Sequence, residues 1–220
     1  ILKVEHAEIK FDHVSFGYDP ERLILHDVSF KVPAGTSVAI VGPSGSGKST
    51  ISRLLFRFYD VTKGSIFINN HNIRHVTQES LQKLIGIVPQ DTVLFNNTLF
   101  YNIAYGRPEA TLQEVEQAAR LAHLDEFIKL LPDGLQTAVG ERGLKLSGGE
   151  KQRVAIARVI LKKPLIYVFD EATSALDTKT ERDIQKNLEE ISAGSTTVII
   201  AHRLSTVTHA DNIIVLEQGS

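Results

Sequence analysis

Apolar residues along this chain follow two alternating spacings. Residues 8 to 32 read "EIKF", then "VSF", then "VSFKV" running into "PAG", short alternating segments closed by a Pro-Gly turn, which predicts the strands of an antiparallel sheet. From Ser37 the pattern changes. "SVAIVG" is a short continuous apolar run, and after a cluster of glycines "STISRLLFRFY" carries apolar residues at helical spacing, so the prediction is strand, loop, helix. "SIFIN" and "IGIVPQ" read as further strands with a helix, "TQESLQKL", between them. Between Gly106 and Lys163 no strand pattern stands out. "TLQEVEQAARLA" and "LDEFIKLL" are helical, the second stopped by "PDG", and "SGGEKQRVAIARVIL" opens with Ser147 in an N-cap position. Strands return in "LIYVFD", "TTVII" and "NIIVL", with the helix "TKTERDIQKNLEEIS" between the first two. Alternation of strand and helix on both sides of a helical insert predicts an α/β fold with a mostly parallel, covered sheet. Neither an internal repeat nor a low-complexity segment is present.

Composition narrows the function classes. At 220 residues the chain suits one compact unit with a subdomain. Basic and acidic residues nearly cancel, 24 against 26, which argues against a general electrostatic hold on nucleic acid or anionic lipid. The absence of Cys rules out disulfides and thiolate metal sites and leaves the compartment open. Runs such as "VAIV" and "VII" fall far below the roughly 20 apolar residues that a spanning helix needs. Ile1 begins no recognisable signal peptide. With no Met anywhere and a large residue at position 1, the chain is expected to be a piece of a longer protein.

The chemistry concentrates in a few stretches. "GPSGSGKST" fits G-x-x-x-x-G-K-[ST] at Gly42, Gly47, Lys48 and Ser49, between a predicted strand and a predicted helix, the context that motif requires. Its glycines, with Ser44, Gly45 and Ser46 between them, let backbone N–H groups converge on phosphate oxygens. The helix start adds partial positive charge, Lys48 a mobile full charge, and Ser49 a hydroxyl for Mg²⁺. "LIYVFDE" puts Asp170 and Glu171 at the end of a buried strand, where two carboxylates are costly unless paired or bound to metal. Neighbours on a strand point to opposite sides, so Asp170 suits the Mg²⁺ shell and Glu171 an attacking water. Gln90 and His202 lie just beyond apolar strands, the edge where open α/β sheets bind ligands, although plain loop residues occupy such positions too. Tyr18 in "FGYDP" suits stacking on a base or simple packing. His71 and His75 have helical metal-ligand spacing but sit in a polar connection with no supporting Cys. Lys151, Arg153 and Arg158 on "EKQRVAIAR" read as a solvated or salt-bridged helix flank rather than a nucleic-acid surface. A second glycine-rich stretch, "LKLSGGEKQR" at 144 to 153, raises the question of whose phosphate it holds.

In order along the chain, Tyr18, the loop at 42 to 50, Gln90, "LSGGE" at 146 to 150, "LIYVFDE", "SALD" at 174 to 177 and His202 resemble an ABC transporter nucleotide-binding domain over nearly the whole length. "LSGGEKQR" followed by "DEATSALD" is that family's own signature. The resemblance implies a phosphate-loop, RecA-like core with an N-terminal antiparallel β subdomain (1–36), an ATP-binding core (37–95 and 164–220) and a helical subdomain carrying the signature (96–163). It implies that Tyr18 stacks on adenine, that Lys48, Ser49 and Thr50 hold phosphates and Mg²⁺, and that Gln90 touches Mg²⁺ and senses the membrane part. Asp170 would sit in the metal shell, Glu171 would act as base on water, Asp177 would lie in the dimer contact and His202 would meet the γ phosphate.

In this family two domains meet head to tail, so Ser147, Gly148 and Gly149 would close over ATP held by the other copy. That answers the question raised by the second loop. "VGERG" and "VPQDTVLFNNTLFYNIAYG" look like the exporter type, and "RLLFRFYD" with "LKLSGGEKQRVAIAR" is similar to half-transporters of mitochondria and related bacteria linked to glutathione, iron-sulfur and heavy-metal export. The implied partners are a second copy and membrane domains of the same longer chain. The implied place is the cytoplasmic face of a bacterial inner membrane or the matrix face of the mitochondrial inner membrane. Three rivals fit less well. Non-transport relatives in DNA repair or translation carry long coiled coils or two domains per chain, a GTPase switch would need N-K-x-D, and an inactive scaffold is disfavoured by Lys48, Glu171 and His202.

Overall fold

The computed structural model describes residues 7–19, 21–170, 178–201, 207 and 210–220. The chain forms two compact units. The first gathers the residues up to Gly86 with Pro164–Asp170 and Ser192–Ser220, and the second gathers Ile87–Lys163 and Glu171–Ile191.

In the first unit β1 (Ile9–Phe16) pairs antiparallel with β2 (Leu25–Val32). Alternating inward residues build this layer, with the Phe11 and Phe30 rings stacked at 4.5 Å. "EIKF" and "VSF" prove to be one strand, its register slipping between Phe11 and Val14, where His13 takes a φ of 51°. Such a backbone is costly for a residue with a Cβ. Ser29 Oγ accepts the His13 N–H at 2.9 Å and Asp27 meets its ring at 2.8 Å, and these contacts hold the bulge.

Next come β3 (Ser37–Val41), α1 (Lys48–Leu55), β4 (Lys63–Ile68), β5 (His71–Asn72), α2 (Gln78–Leu84) and β6 (Ile85–Val88), whose last two residues belong to the second unit. β4 falls inside the span 37–95 that the sequence groups with the core, yet it pairs antiparallel with β1, giving a four-stranded sheet in the order β2-β1-β4-β5. α1 ends four residues before "STISRLLFRFY" does, because Arg57 turns left-handed at φ 53°. Phe58 and Tyr59 are consequently exposed on a turn. His71 is in β5 and His75 ends a 3-10 turn, so their helical spacing lies on no α-helix.

The unit's second sheet is completed by β9 (Ile166–Asp170), β10 (Thr196–Ile200) and β11 (Asn212–Val215), in the order β11-β3-β10-β9-β6. β3 pairs parallel with β10 and β11, and β10 parallel with β9. Every residue of β9 is buried, as its unbroken apolar run requires when a sheet is covered on both faces. Ser37 and Asp211 fasten one end of this sheet: the Asp211 carboxylate accepts the Ser37 N–H at 2.7 Å and its hydroxyl at 2.8 Å.

The second unit contains β7 (Asn97–Thr98), α3 (Leu99–Ala104), α4 (Leu112–Leu121), α5 (Asp125–Leu130), β8 (Ala138–Val139), α6 (Gly148–Lys162) and α7 (Thr178–Ser192), whose last residue belongs to the first unit. Leu99, Ile103, Val115, Val154 and Ile156 are fully buried among these elements. β8 corrects the expectation of a strand-free stretch after Gly106. It has only two residues, paired with β7, too few to leave an alternation in the sequence. α3 also goes unforeseen at sequence level. Thr98 caps it, accepting the Tyr101 N–H.

Candidate functional site

The glycine loop joins the C-terminal end of β3 to the first turn of α1. Close packing leaves no room for a side chain at two of its glycines. A Cβ on Gly42 would stand 2.1 Å from the Leu216 carbonyl oxygen, and Gly47, at φ 102°, would put one 2.7 Å from Leu25 Cδ2. Gly47 is also the N-cap of α1, so that helix start has no side-chain cap, and no acidic residue lies in its first turn. Its leading N–H groups therefore carry their partial positive charge without a fixed side-chain acceptor. Lys48 is buried and folds back over the loop, its Nζ donating to the carbonyls of Gly42 and Pro43, each at 2.8 Å. Ser46 Oγ is buried with no hydrogen-bond partner among the described residues, a costly state that an anionic oxygen would relieve. A helix terminus, an ammonium and an unsatisfied hydroxyl together suit a phosphate chain.

Tyr18 lies beside α1. Its Oη accepts from Arg53 Nη1 at 2.8 Å and is 3.5 Å from Thr50 Oγ1. Its ring packs edge-on against Phe16 and Tyr59. Arg53 is held above its ordinary value, first by the hydrogen bond to Tyr18. Tyr18 is 43% exposed, and the Arg53 guanidinium carbon lies over its ring, 5.8 Å from the centroid. Arg53, which orients that ring, went unnoticed at the sequence level. Its place on α1, facing Tyr18 across 35 positions of sequence, leaves no local signal.

Asp170 ends β9, buried, and the register sets it level with Ile200 of β10, which is level with Ile40 of β3. The carboxylate thus emerges at the sheet edge from which β3 leads into the glycine loop. Ser49, half-buried in the first turn of α1, belongs to the same unit. Among the described residues no group of three or more His, Cys, Asp or Glu could hold a metal. A carboxylate and a hydroxyl fit Mg²⁺ in particular, which takes one or two protein oxygens and completes its shell with phosphates and water. Glu171, Asp177 and His202 lie outside the described residues.

The remaining candidates belong to the second unit. Gln90 is exposed, two residues beyond β6. Ser147 caps α6 through a capping box: its Oγ accepts the Glu150 N–H at 3.3 Å, and its own N–H donates to Glu150 Oε2 at 2.7 Å. Ser147 and Gly148 are exposed at the start of a 15-residue helix, where the capping box occupies the Glu150 N–H and does not engage those of Gly148 and Gly149. Arg158 departs from the expected solvated flank. It donates to the Asn102 and Val93 carbonyls. The sequence does hold a signal for this: "VAIARVIL" is apolar at every position but Arg158 itself, and a helix that is apolar nearly all round is buried.

A family model described as ABC transporter matches residues 25–174. The chain is 60% identical, over 99% of its length, to an "ATM1-type heavy metal exporter" of Novosphingobium aromaticivorans, of which it covers 36%. It is 58% identical, over 98% of its length, to "Iron-sulfur clusters transporter ABCB7, mitochondrial" of Oryzias latipes, covering 29% of that protein. A solved "bacterial Atm1-family ABC exporter with ATP bound" superposes with a TM-score of 0.96 at 60% identity, covering 99% of this chain and 38% of the other. The chain thus spans about a third of these relatives' length. With the glycine loop, the buried Asp170 and the capped Ser147 turn each in place on its own element, the chain belongs to the ABC transporter family.

Proposed function

We propose that this chain is the ATP-binding and ATP-hydrolysing domain of an exporter, acting as a head-to-tail pair and joined to membrane domains of the same longer protein. The cytoplasmic face of a bacterial inner membrane or the matrix face of the mitochondrial inner membrane is its proposed station. The observation that carries this reading is the glycine loop, where a buried Lys48, an uncapped helix start and an unsatisfied Ser46 hydroxyl converge.

Lys48 would exchange its two loop carbonyls for β and γ phosphate oxygens, and the first-turn N–H groups of α1 would hold the same phosphates. Ser49 and Asp170 would hold Mg²⁺, with Gln90 as a further ligand. Bound Mg²⁺ supplies neutralisation of the phosphate charge. Glu171 would take the proton of a water aligned with the γ phosphate, and His202 would contact that phosphate. Ser147, Gly148 and Gly149 of one copy would close over the nucleotide of the other. Catalysis of this kind is mostly positioning and charge stabilisation.

Phosphate release from MgATP tests the reading directly. Wild type should turn over at high protein concentration and Lys48→Ala should not, since it lacks the one full charge aimed at the phosphates. Normal turnover in Lys48→Ala, or none in wild type, would overturn it.

A further inference from the structure

In the second unit one guanidinium is held without a carboxylate among the described residues. Arg158 sits on α6 between buried Ala157 and Val159. Its Nε donates to the Asn102 carbonyl at 2.6 Å, Nη1 to the Val93 carbonyl at 3.1 Å and Nη2 to Asn102 Oδ1 at 2.9 Å. The guanidinium carbon lies 5.8 Å from the Phe95 ring centroid. Burial pushes the group below its ordinary value. Asn102 is itself fully buried. Its amide donates to the Phe95 and Thr98 carbonyls, each at 3.0 Å, and its oxygen accepts the Phe95 N–H at 2.9 Å. From the other end, a Cβ on Gly106 would stand 2.2 Å from the Arg158 carbonyl oxygen. One residue of α6 thus grips the segment 93–106 by both side chain and backbone.

Apolar packing would bind a loop to a helix without sinking a charge, and at lower cost. A planar fork of fixed donors adds defined geometry. The gripped segment carries Val93, Phe95, Tyr101 and Tyr105 on its exposed side, and Ser147 lies about three turns away along α6, roughly 16 Å at 1.5 Å per residue.

We propose that Arg158 is a positioning residue, locking α6 to the segment 93–106 so that any displacement of the segment is carried along the helix to the turn Ser147–Gly149. This rests on the reading that the turn closes over nucleotide, where a misplacement of about 1 Å can cost 10²-fold in rate.

Two variants of the 220-residue chain attack the grip from opposite sides. Arg158→Lys keeps the charge and loses the fork, whereas Gly106→Ala wedges the backbones apart and leaves Arg158 intact. Each should bind a fluorescent ATP analogue within about twofold of wild type, because the glycine loop belongs to the other unit, while phosphate release falls about tenfold or more. Amide exchange should accelerate at Tyr105 and Gly106 and also at Lys151. Acceleration confined to 93–106, with turnover within about twofold of wild type, would reduce Arg158 to a loop anchor and overturn the proposal. Native-state exchange of wild type under rising urea decides the matter even if neither variant folds: Tyr105, Gly106 and Lys151 should open together, and separate openings would refute the lock. Absence of turnover in wild type would strike the ATPase reading alone, since the exchange results stand apart from it.

Discussion

Tyr18 offers the sharpest test among single residues because its two halves are separable. The ring is edge-packed on Phe16 and Tyr59 in a residue that is itself exposed, while the hydroxyl is engaged by Arg53. If the ring stacks on adenine, Tyr18→Ala should weaken ATP binding by about 1–3 kcal/mol, the scale of base-aromatic stacking. Tyr18→Phe keeps the ring and loses the exposed hydrogen bond from Arg53 and the long contact to Thr50 Oγ1, a change of about 1 kcal/mol. Titration with a fluorescent ATP analogue separates the two, and a Phe variant as weak as Ala would shift the role to the hydroxyl. Lys48 and Ser147 were legible in the sequence because loop and helix start are contiguous there. The apolar run around Arg158 signals its burial, but neither its partner nor that of Arg53 could be read, since those lie 56 and 35 positions away.

Among elements, the fastening of β3 to the start of β11 makes a pH prediction. Asp211 is held below the usual carboxylate range, first by the Ser37 N–H and then by its hydroxyl. A carboxylate depressed in the folded state adds stability above its ordinary value, near pH 4, and loses it as pH falls through the lower folded value. Asp211 is exposed, so the contribution is small. Urea midpoints of Asp211→Asn should therefore fall less than those of wild type between about pH 5 and pH 3, and parallel curves would exclude this carboxylate from the acid response. β3, β9 and β10 could be read from continuous apolar runs. β4 could not be assigned to its sheet, because "SIFIN" has the same apolar look whether its neighbour is β1 or β3, and pairing is a long-range choice. The two residues of β8 carried no periodicity at all.

For the whole molecule, a chain with one glycine loop and one Ser147 turn is incomplete in the proposed reaction, so assembly and chemistry should be separable by mutation. Glu171, next after the buried Asp170, is proposed to accept the proton of the attacking water. Gln there preserves size and still hydrogen-bonds water but takes no proton, so turnover should drop about 10²- to 10⁴-fold, roughly 3–5.5 kcal/mol of barrier. If Glu171 faces the γ phosphate as proposed, removing its negative charge should also favour closure of two loaded copies, and Glu171→Gln should accumulate an ATP-bound dimer. Adding Ser147→Arg should return it to monomer with nucleotide binding largely kept, by crowding the outward turn of α6. That change also breaks the capping box with Glu150, worth about 0.5–2 kcal/mol of helix stability. Ser147→Ala breaks the same cap without adding bulk. In the Glu171→Gln background the Ala variant should still dimerise with MgATP, more weakly, while the Arg variant should not. Gel filtration with light scattering, with and without MgATP, measures all three. If the Arg variant forms the dimer as readily as the Ala variant does, the Ser147 turn is not the surface that closes over the partner's nucleotide.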